Sequence, residues 1–295
     1  MKKKLLLIVN PVAGKMQGKA ALFPLCDGFC RKGYAVTVFV TAARGDAERV
    51  TTESAERYDL VVCCGGDGTL CEVINGLLCC KKQVPLGYVP LGSTNDFATS
   101  LGLPRRYPQA VEAITDGGEM KLDVGCFGGD RYFSYIASFG AFTAASYKAP
   151  QSSKNALGHF AYVLEGVKEL AAIQPYTVRL ETEERTIEGQ FLFGAVCNST
   201  SVGGLLRLDP SQVDMSDGLF EIMLVRPPKN ASDFGKLITS VNSGVFDKKL
   251  FEFFKTAKAT FTVDGDPSWS LDGEMAVVRG SVTVDKRPGA ILFRK

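Results

Sequence analysis

The residues with the clearest chemical potential form one short segment, Gly65-Gly66-Asp67-Gly68-Thr69. It follows an apolar run typical of a buried strand and precedes an amphipathic helix pattern. Glycines let the backbone approach a phosphate and turn its amides toward it, and a helix N-terminus adds positive potential. Asp67 offers a carboxylate to Mg²⁺ or a nucleotide, and Thr69 offers a capping or phosphate-binding hydroxyl. The segment is therefore a candidate phosphate-binding loop.

The same segment also suits an ordinary tight turn between a strand and a helix, capped by Thr69. Two common phosphate motifs are absent from the sequence. Cys71 occupies the third glycine position of Gly-x-Gly-x-x-Gly, and Gly-x-x-x-x-Gly-Lys-Ser/Thr does not occur. Taken alone, the loop leaves both interpretations open.

Two further loops follow predicted strands and carry polar and glycine residues. They are Asn10–Lys15 (Asn-Pro-Val-Ala-Gly-Lys) and Pro90–Ala98 (Pro-Leu-Gly-Ser-Thr-Asn-Asp-Phe-Ala). Each one alone suits a turn or a helix cap. Three such loops at one sheet edge are harder to explain as turns only, so together they favour a shared ligand site.

The elements that would position these loops alternate between strand and helix in the first part of the chain. Such alternation predicts a parallel sheet covered by helices, with ligands beyond the carboxyl ends of the strands. The predicted strands are Leu5–Val9, Ala35–Val40, Leu60–Cys64 and Leu86–Val89, and the predicted helices are Lys19–Arg31, Asp46–Glu56, Thr69–Cys80 and Asp96–Leu101.

The sequence pattern changes after about Asp123 to β-branched and aromatic runs separated by Gly, Pro or Asp. We predict an α/β nucleotide-binding domain over 1–123 and an antiparallel β-sandwich for the acceptor over 124–285, with a tail, 286–295, able to pack back onto the first domain. Predicted strands are Arg131–Ser138, Tyr176–Glu181, Gln190–Val196, Leu219–Val225, Ala259–Val263, Met275–Val278 and Ser281–Val284, and predicted helices are Leu157–Ile173 and Ala231–Ser243.

The order of these motifs resembles the diacylglycerol kinase catalytic family, which includes soluble bacterial lipid kinases and sphingosine kinases and is related in fold to NAD kinases. The resemblance covers nearly the whole chain. Ser93 stands where the family usually has threonine, which keeps the hydroxyl, and the loop from Ser138 to Ala144 lacks the family's aspartate. The residues that carry the resemblance are Asn10, Pro11, Gly14, Gly65–Thr69, Glu72, Asn75, Gly76 and Gly92–Ala98.

The resemblance implies ATP, used with Mg²⁺, as phosphate donor and a lipid hydroxyl as acceptor. Phosphoryl transfer needs an oriented nucleophile and charge neutralisation more than covalent help. The nucleotide-binding residues it implies are Asn10, Pro11, Gly14, Thr41, Gly65, Gly66, Asp67, Gly68, Thr69, Glu72, Ser93, Asn95 and Asp96. The catalytic residues it implies are Asp67, Asp123, Asp272 and Glu274, with Glu274 as the general base.

Two of the implied sites also have plain structural interpretations. Asp272-Gly273 suits a hairpin turn, which could itself present Glu274. The resemblance implies a structural Mg²⁺ site at Asp214, Asp217 and the carbonyl of Leu219, and oxygen ligands suit that ion. An acidic turn without metal is an equal alternative there.

Composition limits the partners. The 34 Lys and Arg against 32 Asp and Glu give a net charge of +2, which argues against nucleic acid as a partner. The nine cysteines lack a Cys-x-x-Cys pair and the chain has one histidine, His159, so we expect buried thiols in a reducing cytoplasm and no zinc or triad chemistry. The apolar run Leu5–Val9 is too short for a signal peptide or membrane span.

The function that combines these features is an ATP-dependent lipid kinase in the cytoplasm that contacts the inner membrane face peripherally. A kinase for a soluble acceptor such as NAD is the first alternative, which the Asn-Asp-Phe-Ala segment disfavours. A lipid- or nucleotide-binding protein without catalysis is the second. The sequence leaves open which lipid is the acceptor, and it leaves open the oligomeric state, a homodimer included.

Overall fold

A computed structural model of the chain describes residues 2–140, 174–202 and 206–295. Contacts divide the chain into two units, Met1–Asp123 with Pro288–Lys295 and Val124–Arg287. The predicted helix over Leu157–Ile173, His159 within it, and the loop from 141 to 144 lie outside the described residues.

A parallel sheet forms the centre of the first unit. Its strands are β1 (Lys3–Val9), β2 (Tyr34–Val40), β3 (Leu60–Gly65) and β4 (Leu86–Pro90), in the spatial order β2-β1-β3-β4. Every pairing in this order is parallel. β3 and β4 are buried along their whole length, which explains their largely apolar sequences. The predicted parallel α/β domain is confirmed.

Helices alternate with these strands. They are α1 (Ala13–Arg31), α2 (Asp46–Ser54), α3 (Asp67–Leu78), α4 (Asp96–Ser100) and α5 (Tyr107–Asp116). α1 begins at Ala13, not at the predicted Lys19, so Gly14 lies in its first turn. α5 was not predicted; it has proline at its start and buries Ala110, Val111 and Ile114.

The C-terminal end of the chain packs within the first unit. In the last strand, β18 (Ser281–Arg294), Phe293 pairs in parallel with Leu86 of β4. The ring of Phe293 packs edge-on against Phe97 at 5.6 Å between centroids. Arg294 donates to Glu119 of β5 (Glu119–Phe127) at 2.9 Å. The sequence pattern ended this strand at Val284, ten residues before its observed end at Arg294.

Two antiparallel sheets form most of the described part of the second unit. One has the order β14-β13-β10-β7-β16-β17, and the other continues from the first half of β18 through β15 and β8 to β9. The strands of this unit are β6 (Arg131–Phe133), β7 (Ile136–Gly140), β8 (Tyr176–Glu181), β9 (Thr186–Phe191), β10 (Phe193–Cys197), β11 (Ser201–Val202), β12 (Leu206–Arg207), β13 (Phe220–Val225), β14 (Phe251–Thr256), β15 (Lys258–Val263), β16 (Ser268–Leu271) and β17 (Glu274–Val277). β6 pairs with β5, and β11 pairs with β12 as a separate two-stranded sheet.

An aromatic core joins the two sheets face to face. Phe139 and Trp269, from the first sheet, lie 4.7 Å apart between ring centroids. Phe261, from the second sheet, lies 6.1 Å from Phe139 and 5.3 Å from Trp269. Aromatic pairs at these separations add to the free energy gained by burying their area. The predicted antiparallel sandwich is confirmed.

A helix covers the outer face of the six-stranded sheet. It is α6 (Ala231–Ser243), and its observed bounds match the predicted ones. Asn230 caps its start by accepting from the Asp233 N–H at 2.9 Å, and Gly244 ends it at φ 71°. None of the helices in the described ranges has the length and apolar character that crossing a bilayer requires.

Candidate active site

The three loops of the first unit meet at the carboxyl edge of the parallel sheet. The side-chain amide of Asn10, just after β1, donates to Thr69 Oγ1 at 2.9 Å. Its carbonyl oxygen accepts from the Val12 N–H at 3.1 Å. Asn10 thus ties the start of α1 to the start of α3. Pro11, beside it, is half-buried.

Glycine makes the close approach of the loops possible. Gly14 has φ 53°, and a Cβ on it would lie 1.8 Å from the carbonyl oxygen of Leu91. A Cβ on Gly66 would lie 3.2 Å from Cα of Gly92, and one on Gly92 would lie 2.7 Å from Cα of Gly66. Side chains at these positions would push the backbones apart, so glycine sets the distance between the loops.

Asp67 connects the second loop to the third. Its carboxylate accepts from the backbone N–H groups of Asp96 and Phe97, at 3.1 and 3.3 Å. These are the first N–H groups of α4, so Asp67 caps that helix from a distant part of the chain. Asp96 itself is 2 % exposed. The predicted residues Asp67 and Asp96 are therefore brought together.

The hydroxyl of a buried tyrosine, Tyr88, contacts the third loop. Tyr88 Oη lies 3.2 Å from the Gly65 carbonyl and 3.3 Å from Asn95 Oδ1. Asn95 adopts a left-handed conformation, φ 53°, and its amide donates to the Gly92 carbonyl at 2.7 Å. Burial, with the nearby charge of Asp67, raises the pKa of Tyr88 well above its usual value, so it stays a neutral donor. The sequence pattern shows Tyr88 only as a strand residue.

The start of α3 faces open space. Gly68 is exposed, and a Cβ on it would meet nothing within 4 Å. No side chain caps this helix start, and within the described ranges the N–H groups of Gly68 and Thr69 have no acceptor. Unfilled N–H groups at a helix start, with glycine beside them, form a cradle suited to an anionic phosphate. We call Gly66–Thr69 the phosphate cradle.

The other predicted nucleotide-binding residues have different surroundings. Glu72 accepts from the N–H groups of Gly45 and Ala47, at 2.9 and 3.1 Å, and so caps α2. Thr41 is buried at the end of β2, and its N–H donates to Val9. Ser93 is exposed in the third loop. Nucleotide contact by these residues stays a prediction.

Asp123 lies on β5 in the first unit and is 3 % exposed. Its Oδ1 accepts from the N–H of Gly289 at 2.8 Å. Gly289 has φ 59°, at the point where β18 enters the first unit. This hydrogen bond gives Asp123 a structural role, and its catalytic role stays a prediction.

In the second unit, Asp272 and Gly273 form the predicted two-residue hairpin turn, which is confirmed by the pairing of Leu271 with Glu274. Both turn residues have positive φ, 50° and 88°, as a type I′ turn requires. The carboxylate of Asp272 accepts from the Ser134 N–H and hydroxyl and from the N–H groups of Tyr135 and Ile136, at 2.5 to 3.0 Å.

These four hydrogen bonds engage the whole acceptor capacity of the Asp272 carboxylate. Burial nevertheless raises its pKa, although the four donors act in the opposite direction. Asp272 is therefore suited to hold the turn that presents Glu274. Glu274 is half-buried at the first position of β17.

The oxygen atoms of the predicted structural metal site are engaged by lysine and serine groups of the chain. Asp217 Oδ2 accepts from Lys255 Nζ at 2.8 Å, and the Leu219 carbonyl accepts from Lys286 Nζ at 2.5 Å. Asp214 Oδ1 accepts from the N–H and hydroxyl of Ser216. Within the described ranges, no three or more His, Cys, Asp or Glu side chains are arranged to hold a metal. The donor atoms as arranged do not fit Mg²⁺.

Comparisons with known proteins agree with this architecture. The sequence profile of the family described as Diacylglycerol kinase catalytic domain matches residues 4–127. The profile described as YegS C-terminal NAD kinase beta sandwich-like domain matches residues 136–293.

Proteins named diacylglycerol kinase match along most of the chain. The one from Bacillus subtilis (strain 168) is 32% identical, over 92% of this chain and 90% of its own length. The one from Staphylococcus aureus (strain MRSA252) is 31% identical, over 93% and 87%. A crystal structure of a diacylglycerol kinase from Bacillus anthracis str. Sterne superposes with a TM-score of 0.76 at 22% identity, over 99% of this chain and 97% of that one. At 22% identity, this likeness shows the fold alone.

Proposed function

This chain belongs to the diacylglycerol kinase catalytic-domain family, and we propose that it is an ATP-dependent kinase acting on the hydroxyl of a lipid such as diacylglycerol. The relatives named diacylglycerol kinase are about one-third identical in sequence to this chain, which supports kinase chemistry. That the acceptor is a lipid is our proposal.

The observation that carries the proposal is the phosphate cradle. It combines unfilled N–H groups, an exposed glycine without steric neighbours, and two further loops held against it by Asn10 and by the Gly66–Gly92 approach. An ordinary strand–helix turn requires none of this convergence. Phosphoryl transfer requires a site that orients the phosphates and neutralises their charge.

On the donor side, Asp67, Asp96 and Asp123 are the candidate acidic groups. Carboxylates of this kind hold Mg²⁺ together with the phosphates of ATP. Mg²⁺ bound with ATP would neutralise the charge that develops on the phosphate oxygens. In this chain the Asp67 carboxylate also caps α4, so the two backbone N–H groups that donate to it hold it in position.

On the acceptor side, Glu274 is the candidate general base. It would take the proton of the lipid hydroxyl while that oxygen attacks the γ-phosphorus; the bond to the bridging oxygen breaks and ADP leaves. Asp272 would act as a positioning residue, because its carboxylate holds the turn from Leu271 to Glu274. A lipid acceptor lies in a bilayer, so the proposal includes peripheral binding to the membrane surface.

The test is phosphate transfer from labelled ATP to a panel of lipids in mixed micelles: diacylglycerol, a sphingoid base, a glycerophospholipid and a polyprenol. We expect a labelled lipid with at least one acceptor, and loss of that product in Asp67→Asn and Glu274→Gln. Asp59→Asn is the matched control for the first variant, because Asp59 precedes β3, at the end of the strand away from Asp67, and its carboxylate accepts from the Lys4 N–H. Glu188→Gln on β9 is the control for the second.

Two further arms decide between the alternatives. NAD is offered as an acceptor, and formation of NADP without any labelled lipid would replace the lipid kinase with a soluble-acceptor kinase. ATP binding is measured by calorimetry, and binding without turnover on every acceptor would indicate a non-catalytic protein. Full activity of Asp67→Asn would contradict the assignment of the phosphate cradle as the ATP-binding site.

A further inference from the structure

An acidic turn precedes β13 in the second unit. Three carboxylates, Asp214, Asp217 and Glu221, and the carbonyl of Leu219 lie within eight residues of sequence. We call 214–221 the acidic turn. Carboxylates so close together need opposite charge nearby, which a bound cation or basic side chains can supply.

Lys255 supplies one positive charge from the neighbouring strand. It lies directly opposite Glu221 in the antiparallel pairing of β13 with β14. Its Nζ is 2.8 Å from Asp217 Oδ2 and 3.3 Å from Glu221 Oε1. A single ammonium group therefore bridges two of the three carboxylates.

Lys286 supplies a second positive charge from β18. It is only 7 % exposed, and its Nζ donates to the Leu219 carbonyl and to Asn198 Oδ1, each at 2.5 Å. The same ammonium lies 4.5 Å from the centroid of the Phe220 ring. Carbonyl oxygens and an aromatic face are the surroundings that a buried cation requires.

Glu221 shows that the acidic turn depends on these charges. It is 0 % exposed, and within the described ranges neither of its oxygens receives a hydrogen bond of ordinary geometry. Its compensation is the ion pair with Lys255 at 3.3 Å. Removal of Lys255 would take away the ion-pair partner of this buried carboxylate.

We propose that in this chain the ammonium groups of Lys255 and Lys286 take the place of a divalent cation at the acidic turn, as an internal cation pair. Asp217 Oδ2 and the Leu219 carbonyl, which would ligate a metal, accept instead from these two ammonium groups. Mg²⁺ demands a near-octahedral set of oxygen atoms at about 2.0–2.1 Å, which two ammonium groups at the same oxygens prevent. Stability of the second unit is then independent of divalent metal.

The test is thermal unfolding of the full chain without nucleotide, in EDTA and in excess MgCl₂ or CaCl₂, together with the metal content of the purified protein. We expect the wild type to contain no stoichiometric metal and to unfold at the same temperature in all three conditions. Lys255→Met should lower Tm in EDTA by roughly 5–10 °C, because the buried Glu221 loses its ion-pair partner. Added divalent cation should recover part of this loss.

Lys258→Met is the matched control, because Lys258 forms an exposed ion pair with Asp285 at 3.4 Å in the same unit, and its Tm should stay near that of the wild type. If Lys255→Met does not fold, Asp217→Asn in the wild-type background decides the question. An internal pair predicts the same Tm loss in EDTA and in MgCl₂. A wild-type Tm that rises with Mg²⁺, with the rise absent in Asp217→Asn, would overturn the proposal.

Discussion

Gly68→Ala is the most direct test of the phosphate cradle, because the added methyl group should leave the fold stable while it hinders phosphate binding. Gly68 lies in the first turn of α3, it is not among the residues with positive φ, and a Cβ on it meets nothing within 4 Å. In the folded chain, Gly68→Ala is therefore sterically free. Alanine in a helix is favoured over glycine by about 0.5–1 kcal/mol. We expect Tm to stay the same or to rise by up to about 4 °C.

The effect on catalysis has the opposite sign. The added methyl occupies open space at the start of α3 and tilts toward the N-terminus of the helix, where the proposal places a phosphate. Loss of one hydrogen bond to a charged group costs about 1.5–3 kcal/mol. This corresponds to a fall in kcat/KM for ATP of roughly 10- to 150-fold, since about 1.4 kcal/mol changes a rate tenfold. Steady-state kinetics with varied ATP and a thermal scan of the same preparation measure both effects.

Two other glycines serve as controls for this prediction. Gly235 lies inside α6, and its Cβ position is also open, so Gly235→Ala should match the stability change without altering the kinetics. Gly14→Ala should instead destabilise the fold by about 2 kcal/mol or more, because φ of Gly14 is 53° and the added Cβ would lie 1.8 Å from the carbonyl oxygen of Leu91. Wild-type kinetics for Gly68→Ala would refute the assignment of the cradle.

Three further predictions concern the polar side chains around the site. Asp67→Asn keeps one of the two oxygens that cap α4, so urea unfolding should show a loss of about 1 kcal/mol while turnover falls by roughly 10²–10³-fold. A much larger stability loss would show that the charge is structural. Tyr88→Phe removes the hydroxyl that donates to Asn95, so the free energy of unfolding should fall by about 1–2 kcal/mol, and KM for ATP should rise more than kcat falls. Unchanged stability and unchanged KM would show that Tyr88 is not a positioning residue. The raised pKa of Asp272 means that its titration favours the folded state below about pH 4, and that this contribution is lost as pH rises through the folded pKa. The stability gap between wild type and Asp272→Asn should therefore narrow as pH rises from about 4, and urea unfolding across this range would contradict the argument if the gap widened.

The sequence predicts the parts of the fold that depend on local pattern. The apolar runs Leu5–Val9 in β1 and Leu60–Cys64 in β3 are each followed by turn residues, and such runs are typical of strands buried on both faces. The observed bounds of α6 match the predicted ones, and the residues that flank it, Asn230 and Gly244, are types that favour helix ends. α5 is absent from the sequence prediction although Ala110, Val111 and Ile114 form an apolar face, because its ten residues are shorter than the stretch over which helical periodicity becomes decisive.

The sequence cannot show interactions between distant residues. That Asp67 caps α4, or that Tyr88 supports Asn95, depends on which strands lie side by side. Lys286 is separated from Leu219 by 67 residues, so no spacing rule connects its ammonium group to that carbonyl. The identity of a candidate site residue can thus be predicted from a motif, whereas the hydrogen bonds that it makes require the fold.

The most direct test of the central claim measures ADP release and lipid phosphate together, with diacylglycerol and with the same lipid carrying a methyl ether in place of the hydroxyl. Transfer to the hydroxyl predicts one labelled lipid phosphate for each ADP formed with diacylglycerol, and neither product above background with the ether. ADP release at equal rates with both lipids, without labelled lipid, would contradict lipid phosphorylation and leave only ATP hydrolysis.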